Sequence, residues 1–146
     1  MATLERAIQI AAEAHAGQFD KGGEAYILHP LRVMLRMQSQ AERIVAVLHD
    51  VVEDSAHHSF ETLSREGFAP EIIEAIQALT KLPGEGRVAA ARRAAEHPIA
   101  RLVKLADNAE NMDLSRIPNP AEKDFARLKE YEQVRSILLA AGGAQR

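Results

Sequence analysis

A chain of 146 residues that is 47% apolar and 27% charged, with a net charge of −3, has the size and balance of one globular domain rather than of a disordered chain. The charge lacks the strong basic excess of a general nucleic-acid binder, and no apolar run reaches the length of a membrane span. The absence of cysteine excludes disulfides, thiolate nucleophiles and Cys-based metal sites, so any metal must use His, Asp or Glu. Residues 1–10 read as the start of an amphipathic helix and not as a secretory or transit peptide, which makes the cytoplasm the expected compartment.

Apolar residues recur at three- and four-residue spacing almost throughout, so the expected class is all-α, a compact single domain over 1–146 with about eight helices. Thr3 caps a first helix that carries Leu4, Ile8, Ala11 and His15 on one face and stops at Gly17. A polar loop over 18–28 follows, and Pro30 opens a second helix with Leu31, Met34, Leu35 and Gln38 behind it. The third helix is expected over 41–54. Ser59 opens a short fourth one that Gly67 ends, and Pro70 opens a fifth. Residues 82–86 are a loop, and two helices flank His97-Pro98: an Ala/Arg-rich one and one over 98–112. After the break at 117–120 a last, packing helix carries Phe125, Leu128, Tyr131 and Leu138, with Gly142-Gly143 as a tail.

The third helix carries the most chemistry. Ile44, Val45, Leu48, Val51 and Val52 make most of its circumference apolar, which marks it as central. Burying His49 and Asp50 there costs several kcal/mol unless they are compensated, and a bound cation compensates both. Glu53 and Asp54 follow them at four-residue spacing, on the same face. The alternative is an imidazole–carboxylate hydrogen-bond network with no metal. On the helix over 98–112, Leu102, Leu105, Ala106 and Ala109 form a core stripe, while Lys104, Asp107 and Asn111 share another face. A cation, an anion and an amide on one face suit a site for metal and phosphate; the alternative is a solvated face with a Lys–Asp pair. His29, just before Pro30, suits a ligand or a helix cap equally well.

The segments Ala14-His15-Ala16-Gly17-Gln18, Tyr26-Ile27-Leu28-His29-Pro30, Leu48-His49-Asp50-Val51-Val52-Glu53-Asp54, Leu79-Thr80-Lys81 and Val103-Lys104-Leu105-Ala106-Asp107 resemble, in order and spacing, the hydrolase domain of the RelA/SpoT family of HD-domain phosphohydrolases. The resemblance implies an HD-type helical bundle around a buried metal and, with no synthesising or regulatory domain in this sequence, a stand-alone small alarmone hydrolase. It implies metal ligands His29, His49, Asp50 and Asp107, manganese as the metal, and Glu53 with Asp54 as the catalytic acidic pair. Imidazole and carboxylate ligands suit Mn, Fe or Zn better than Mg or Ca. The implied reaction removes the 3′-pyrophosphate of guanosine tetra- or pentaphosphate. Lys21, Lys81 and Lys104 match basic positions of the family near a small-molecule nucleotide, and Asn111 matches an asparagine expected to touch it. Neither nucleic acid nor membrane is an expected partner, and homo-oligomer formation stays open.

Two departures bear on specificity. Asp20-Lys21 replaces the family's Arg-Lys, and Asp107-Asn108-Ala109-Glu110-Asn111 replaces Asp-Arg-Leu-His-Asn, so the nucleotide side loses cations while the metal side stays intact. An adenosine analogue therefore stands beside guanosine as a substrate. The competing readings are an HD-type phosphatase of another nucleotide and a non-catalytic nucleotide sensor. Arg87, Arg92 and Arg93 read as a solvated face, His15 as a packing residue, His57 and His58 as loop residues, and His97 as a helix start like His29 without ligand partners.

Overall fold

The computed structural model describes residues 2–144. Among them are nine helices and no strand, beyond one isolated bridge between Phe19 and Ala25. The helices are α1 (Leu4–Ala14), α2 (Leu28–Leu35), α3 (Gln40–Leu48), α4 (Val51–Asp54), α5 (Phe60–Arg65), α6 (Pro70–Leu79), α7 (Arg87–Ala95), α8 (Pro98–Asn111) and α9 (Glu122–Ala144). No described helix is long and apolar enough to cross a membrane.

Local chemistry sets most of the helix starts. The Thr3 hydroxyl accepts from Arg6 N–H, and Ser39 with Glu42 and Ser59 with Thr62 form reciprocal capping boxes that satisfy amides left over in a first turn. Pro70 and Pro98 stand where a missing N–H costs nothing. The chain leaves α1 through Gly17, whose φ of +81° is the left-handed conformation that glycine adopts most readily.

The central element is α3, where Ile44 through Leu48 are all buried. It packs against α1, α2, α6 and α8, and each large side chain it removes from water contributes on the order of 2 kcal/mol. A smaller core joins α7 to α9 through Ala91, Ala95, Val134 and Leu138.

The count of nine rather than eight comes from one place: the third predicted helix is two helices. The His49 Nδ1–H donates to Ala46 O at 2.5 Å, the carbonyl that a continuous helix would offer to the N–H of Asp50. The chain turns there, and α4 restarts at Val51. Three smaller differences follow from packing. Helix α2 begins at Leu28, so His29 lies inside its first turn, and Val33, Met34 and Met37 face the core while Leu35 is 75% exposed. Phe125 is 53% exposed, so α9 packs through Val134 and Leu138 instead. Gly142 belongs to α9 and is no tail: a Cβ there would lie 2.5 Å from Arg101 Nη1, so the bare backbone makes room for the guanidinium.

Candidate metal centre and the cavities beside it

Three elements bring the four sequence-predicted ligands together. His29 comes from the first turn of α2, His49 and Asp50 from the corner between α3 and α4, and Asp107 from α8. One ligand atom each from His29, His49 and Asp50 lies within 4.8 Å of the others. Asp107 Oδ1 is 2.8 Å from His29 Nε2 and 3.5 Å from His49 Nε2, and Asp50 Oδ2 is 3.1 Å from His49 Nε2. His29, His49 and Asp107 are buried.

The two carboxylates are also held from behind. The Tyr26 hydroxyl donates to Asp50 Oδ2 at 2.5 Å, Lys104 Nζ to Asp107 Oδ2 at 3.1 Å and Asn111 Nδ2 to Asp107 Oδ1 at 3.3 Å. Such partners fix ring and carboxylate orientation in metal sites. Burial opposes charge on His49, yet the carboxylates of Asp50 and Asp107 raise its pKa well above the usual imidazole range. Burial also works to raise both carboxyls, but His49 holds Asp50 at about 2, and Lys104 with His29 and His49 holds Asp107 well below the usual range. The centre is thus built for carboxylates that stay ionised beside positive charge.

The residues fit a divalent cation. With Nδ1–H donated to a carbonyl, a neutral His49 turns its Nε2 lone pair inward, and that atom is buried with no hydrogen-bond partner among the described residues. Two carboxylates and a second imidazole converge on it, a donor set that matches the borderline transition metals.

Two cavities open beside the centre. One, of about 130 Å³, reaches His49, Asp50 and Asp107 and is rimmed by Glu53, Lys81 and Lys104. Glu53 is fixed there because its Oε1 accepts the Lys81 backbone N–H at 2.5 Å. Asp107 raises the pKa of the Lys104 ammonium and keeps it charged. Asp54 lines neither cavity; its Oδ2 lies 3.7 Å from His15 Nδ1, and burial together with Asp50 raises its pKa. His15 is 2% exposed, bonds through Nδ1 to Gln18 Oε1 at 2.9 Å and packs on the Tyr26 ring, which is the packing role read from its position.

The other cavity, of about 260 Å³, reaches His29 and contains Lys21, Tyr26 and Asn111. Arg116 and Arg127, which escape the sequence reading, also line it, as does Tyr131, which the sequence reading assigned to packing. Arg127 and Tyr131 stand four apart on α9, a shared-face signal that was available but reads equally as packing. Arg116, in the loop after α8, offers no such signal.

The two acidic departures are both committed to partners within the protein. Asp20 Oδ1 accepts the N–H groups of Gly22 and Glu24, each at 2.9 Å, so Asp20 staples its own loop. Glu110 is buried at 7% exposure, takes Arg36 at 2.8 Å and Arg32 at 3.2 Å, and lies 3.5 Å from Arg116. The two loops touch: a Cβ on Gly22 would stand 2.2 Å from Arg116 O, so only glycine fits.

The arginines of α7 divide. Arg92 is exposed, as expected. Arg93 pairs with Glu85 at 2.8 Å and donates to Thr80 O at 2.7 Å, tying α7 to the end of α6. Arg87, its side chain 39% exposed, also lines the smaller cavity. His57 and His58 lie in the turn after α4. His97 caps α8, its Nδ1 accepting from Ile99 and Ala100 N–H at 3.2 and 3.3 Å, which is unlike the placement of His29 inside a helix.

Comparison with known proteins defines the class. A family model described as HD domain matches residues 7–98, and the chain belongs to the HD-domain family. Among its relatives, a probable GTP pyrophosphokinase of Mycobacterium leprae is 31% identical over 92% of this chain and 18% of its own length. A guanosine-3′,5′-bis(diphosphate) 3′-pyrophosphohydrolase of Aquifex aeolicus is 31% identical over 75% of this chain and 17% of its own length. The chain therefore spans less than a fifth of those relatives. A solved chain described as a metazoan orthologue of SpoT that hydrolyses ppGpp superposes with a TM-score of 0.77 at 24% identity, over 94% of this chain and 86% of that one, which establishes the shared fold.

Proposed function

We propose that this chain is a metal-dependent phosphohydrolase that removes the 3′-pyrophosphate of guanosine tetra- or pentaphosphate, working as a single HD domain over 1–146 in the cytoplasm with Mn²⁺ as its metal. The observation that carries this reading is the buried His49 Nε2, without a hydrogen-bond partner among the described residues, facing Asp50 and Asp107 at the mouth of a cavity rimmed by Glu53 and two lysines. The names carried by the relatives from Aquifex aeolicus and, as a bifunctional (p)ppGpp synthase/hydrolase, Escherichia coli support the choice of substrate.

In this reading His29, His49, Asp50 and Asp107 hold the cation. A divalent cation supplies Lewis acidity, making water more acidic and drawing charge from a phosphoryl oxygen. Glu53, fixed by the Lys81 N–H, takes a proton from the attacking water, a role that contributes about 10²–10⁴-fold. Asp54, the second member of the acidic pair, lines neither cavity and is held beside His15, so the ribose 3′ oxygen takes its proton from solvent as its bond to phosphorus breaks. Lys81 and Lys104 take phosphate charge in the smaller cavity, and Lys21 and Asn111 hold the nucleoside in the larger one. Base choice then falls to the aromatic and amide groups of the larger cavity, since Asp20 is committed to its own loop. For that reason an adenosine 3′-diphosphate belongs beside the guanosine substrate.

The test is to incubate the protein with Mn²⁺ and both nucleotides and to identify products by mass. Pyrophosphate is expected. Orthophosphate alone would replace this reading by a phosphatase of another nucleotide, and binding without any product by a nucleotide sensor.

A further inference from the structure

The smaller cavity contains a third cation whose role the lysines do not explain. Arg87, the first residue of α7, lines it together with His49, Asp50 and Lys104, and among the described residues its guanidinium is the only one there. The Arg87 Cζ lies 5.0 Å from the centre of the Tyr131 ring, and Nη1 is 3.3 Å from Glu130 Oε1. Tyr131 lines the larger cavity. The guanidinium is therefore held on one face by an aromatic ring and at one end by a carboxylate. Among the described residues that bond to Glu130 is its only hydrogen bond, so most of its donor fork is uncommitted. The lysines differ: Lys104 already donates to Asp107, while Lys81 uses its own backbone N–H to anchor Glu53.

We infer that Arg87 is a substrate-contacting residue that grips the diphosphate group in the smaller cavity, with Tyr131 setting its orientation from the larger one. A planar fork matches two oxygens of a diphosphate at once, which a point-charge ammonium does not. Because Tyr131 forms part of the other cavity wall, a nucleoside seated against that ring and a diphosphate seated on Arg87 are placed relative to each other by one stacked pair. The inference rests on the reading of the preceding subsection, since it assigns the diphosphate of that substrate to the smaller cavity.

Inorganic pyrophosphate tests this directly. Its binding to the Mn²⁺-loaded protein is measured by calorimetry, with orthophosphate in parallel, for the unaltered chain and for Arg87→Ala, Arg87→Lys and Arg92→Ala. Arg87→Ala is expected to weaken pyrophosphate binding by about tenfold or more, to weaken orthophosphate less, and to leave Mn²⁺ affinity unchanged. Arg87→Lys should recover part of the loss, and it keeps the test valid if the alanine variant does not fold. Arg92→Ala, on the exposed face of α7, should bind as the unaltered chain does. Unchanged pyrophosphate affinity in Arg87→Ala, an equal loss in Arg92→Ala, or no binding by the unaltered chain overturns the inference. Failure of the proposed reaction is a separate result: no pyrophosphate released from the nucleotides, whatever Arg87 contributes to binding.

Discussion

The two cavities flank one candidate centre, the larger at His29 and the smaller at His49, yet use charge in opposite ways. Around the smaller one, Asp50 and Asp107 are ionised and aimed at His49, and the cations Lys81, Arg87 and Lys104 stand at its wall. Around the larger one, charge is mostly spent on the protein itself: Asp20 on two amides of its loop, Glu110 on Arg32 and Arg36, and Arg127 on Asp124 at 3.4 Å. Ionic groups left facing a cavity are available to a charged ligand, whereas paired ones mainly build the wall. In the proposed reading the metal side takes the diphosphate to be removed, and the other side, with Lys21, Asn111 and Tyr131, takes the rest of the nucleotide.

Replacing Asp107 by Ala tests the metal side most severely. Both imidazoles lose their shared carboxylate and Lys104 loses its partner, so bound Mn²⁺ should fall and turnover should drop by more than about a hundredfold. Full activity with full metal content would remove Asp107 from the ligand set.

Glu53→Gln separates chemistry from metal binding. Turnover should fall by about 10²–10⁴ while metal content, read by mass spectrometry, stays at the level of the unaltered chain. A variant that loses its metal as well would make Glu53 part of the centre and not the proton acceptor.

On the other side, Glu110→Ala leaves Arg32, Arg36 and Arg116 without their common carboxylate. Because the arginines left behind are partly exposed and solvent takes up part of their charge, the loss should be about 1–2 kcal/mol, to be read from urea unfolding. A loss below about 0.5 kcal/mol is what a surface change gives and would mean that Glu110 does not hold this wall together.

The smallest effect belongs to Asp54→Asn. A carboxyl whose pKa is raised on folding binds its proton more tightly in the folded chain, so its ionised form costs stability at neutral pH. Removing the charge should stabilise the protein at pH 7, and the gain should shrink as pH falls through the raised value toward the unfolded one. With the side chain 35% exposed, solvent screening keeps the gain under about 1 kcal/mol. Thermal melts at both ends of that range read it, and a gain that grows toward low pH would show the shift to have the opposite sign.

Much of this was legible in residue types and spacing. The capping residues Thr3, Ser59 and Pro70 mark helix starts by a chemistry that operates within a few residues, and the helices began there. The wholly apolar stretch before His49 identified the central helix, because an element without a polar face can only be buried. The face shared by Lys104, Asp107 and Asn111 followed from helical spacing, and the structure joins the three by hydrogen bonds.

What spacing could not supply were the outcomes settled by distant partners. The break after Leu48 depends on one ring nitrogen winning a carbonyl from the backbone, and helical periodicity runs straight through it. Asp54, expected beside Glu53, turned toward His15 because α4 packs on α1. The acidic residues at 20 and 110 suggested a nucleotide side short of cations, but Glu110 is taken up by Arg32 and Arg36 from α2 and Asp20 by amides of its own loop. Residue chemistry and local periodicity thus determine helix starts, the central element and the ligand types. Which polar groups stay available for a substrate is a balance of contacts between residues far apart in the chain, and only the folded protein decides it.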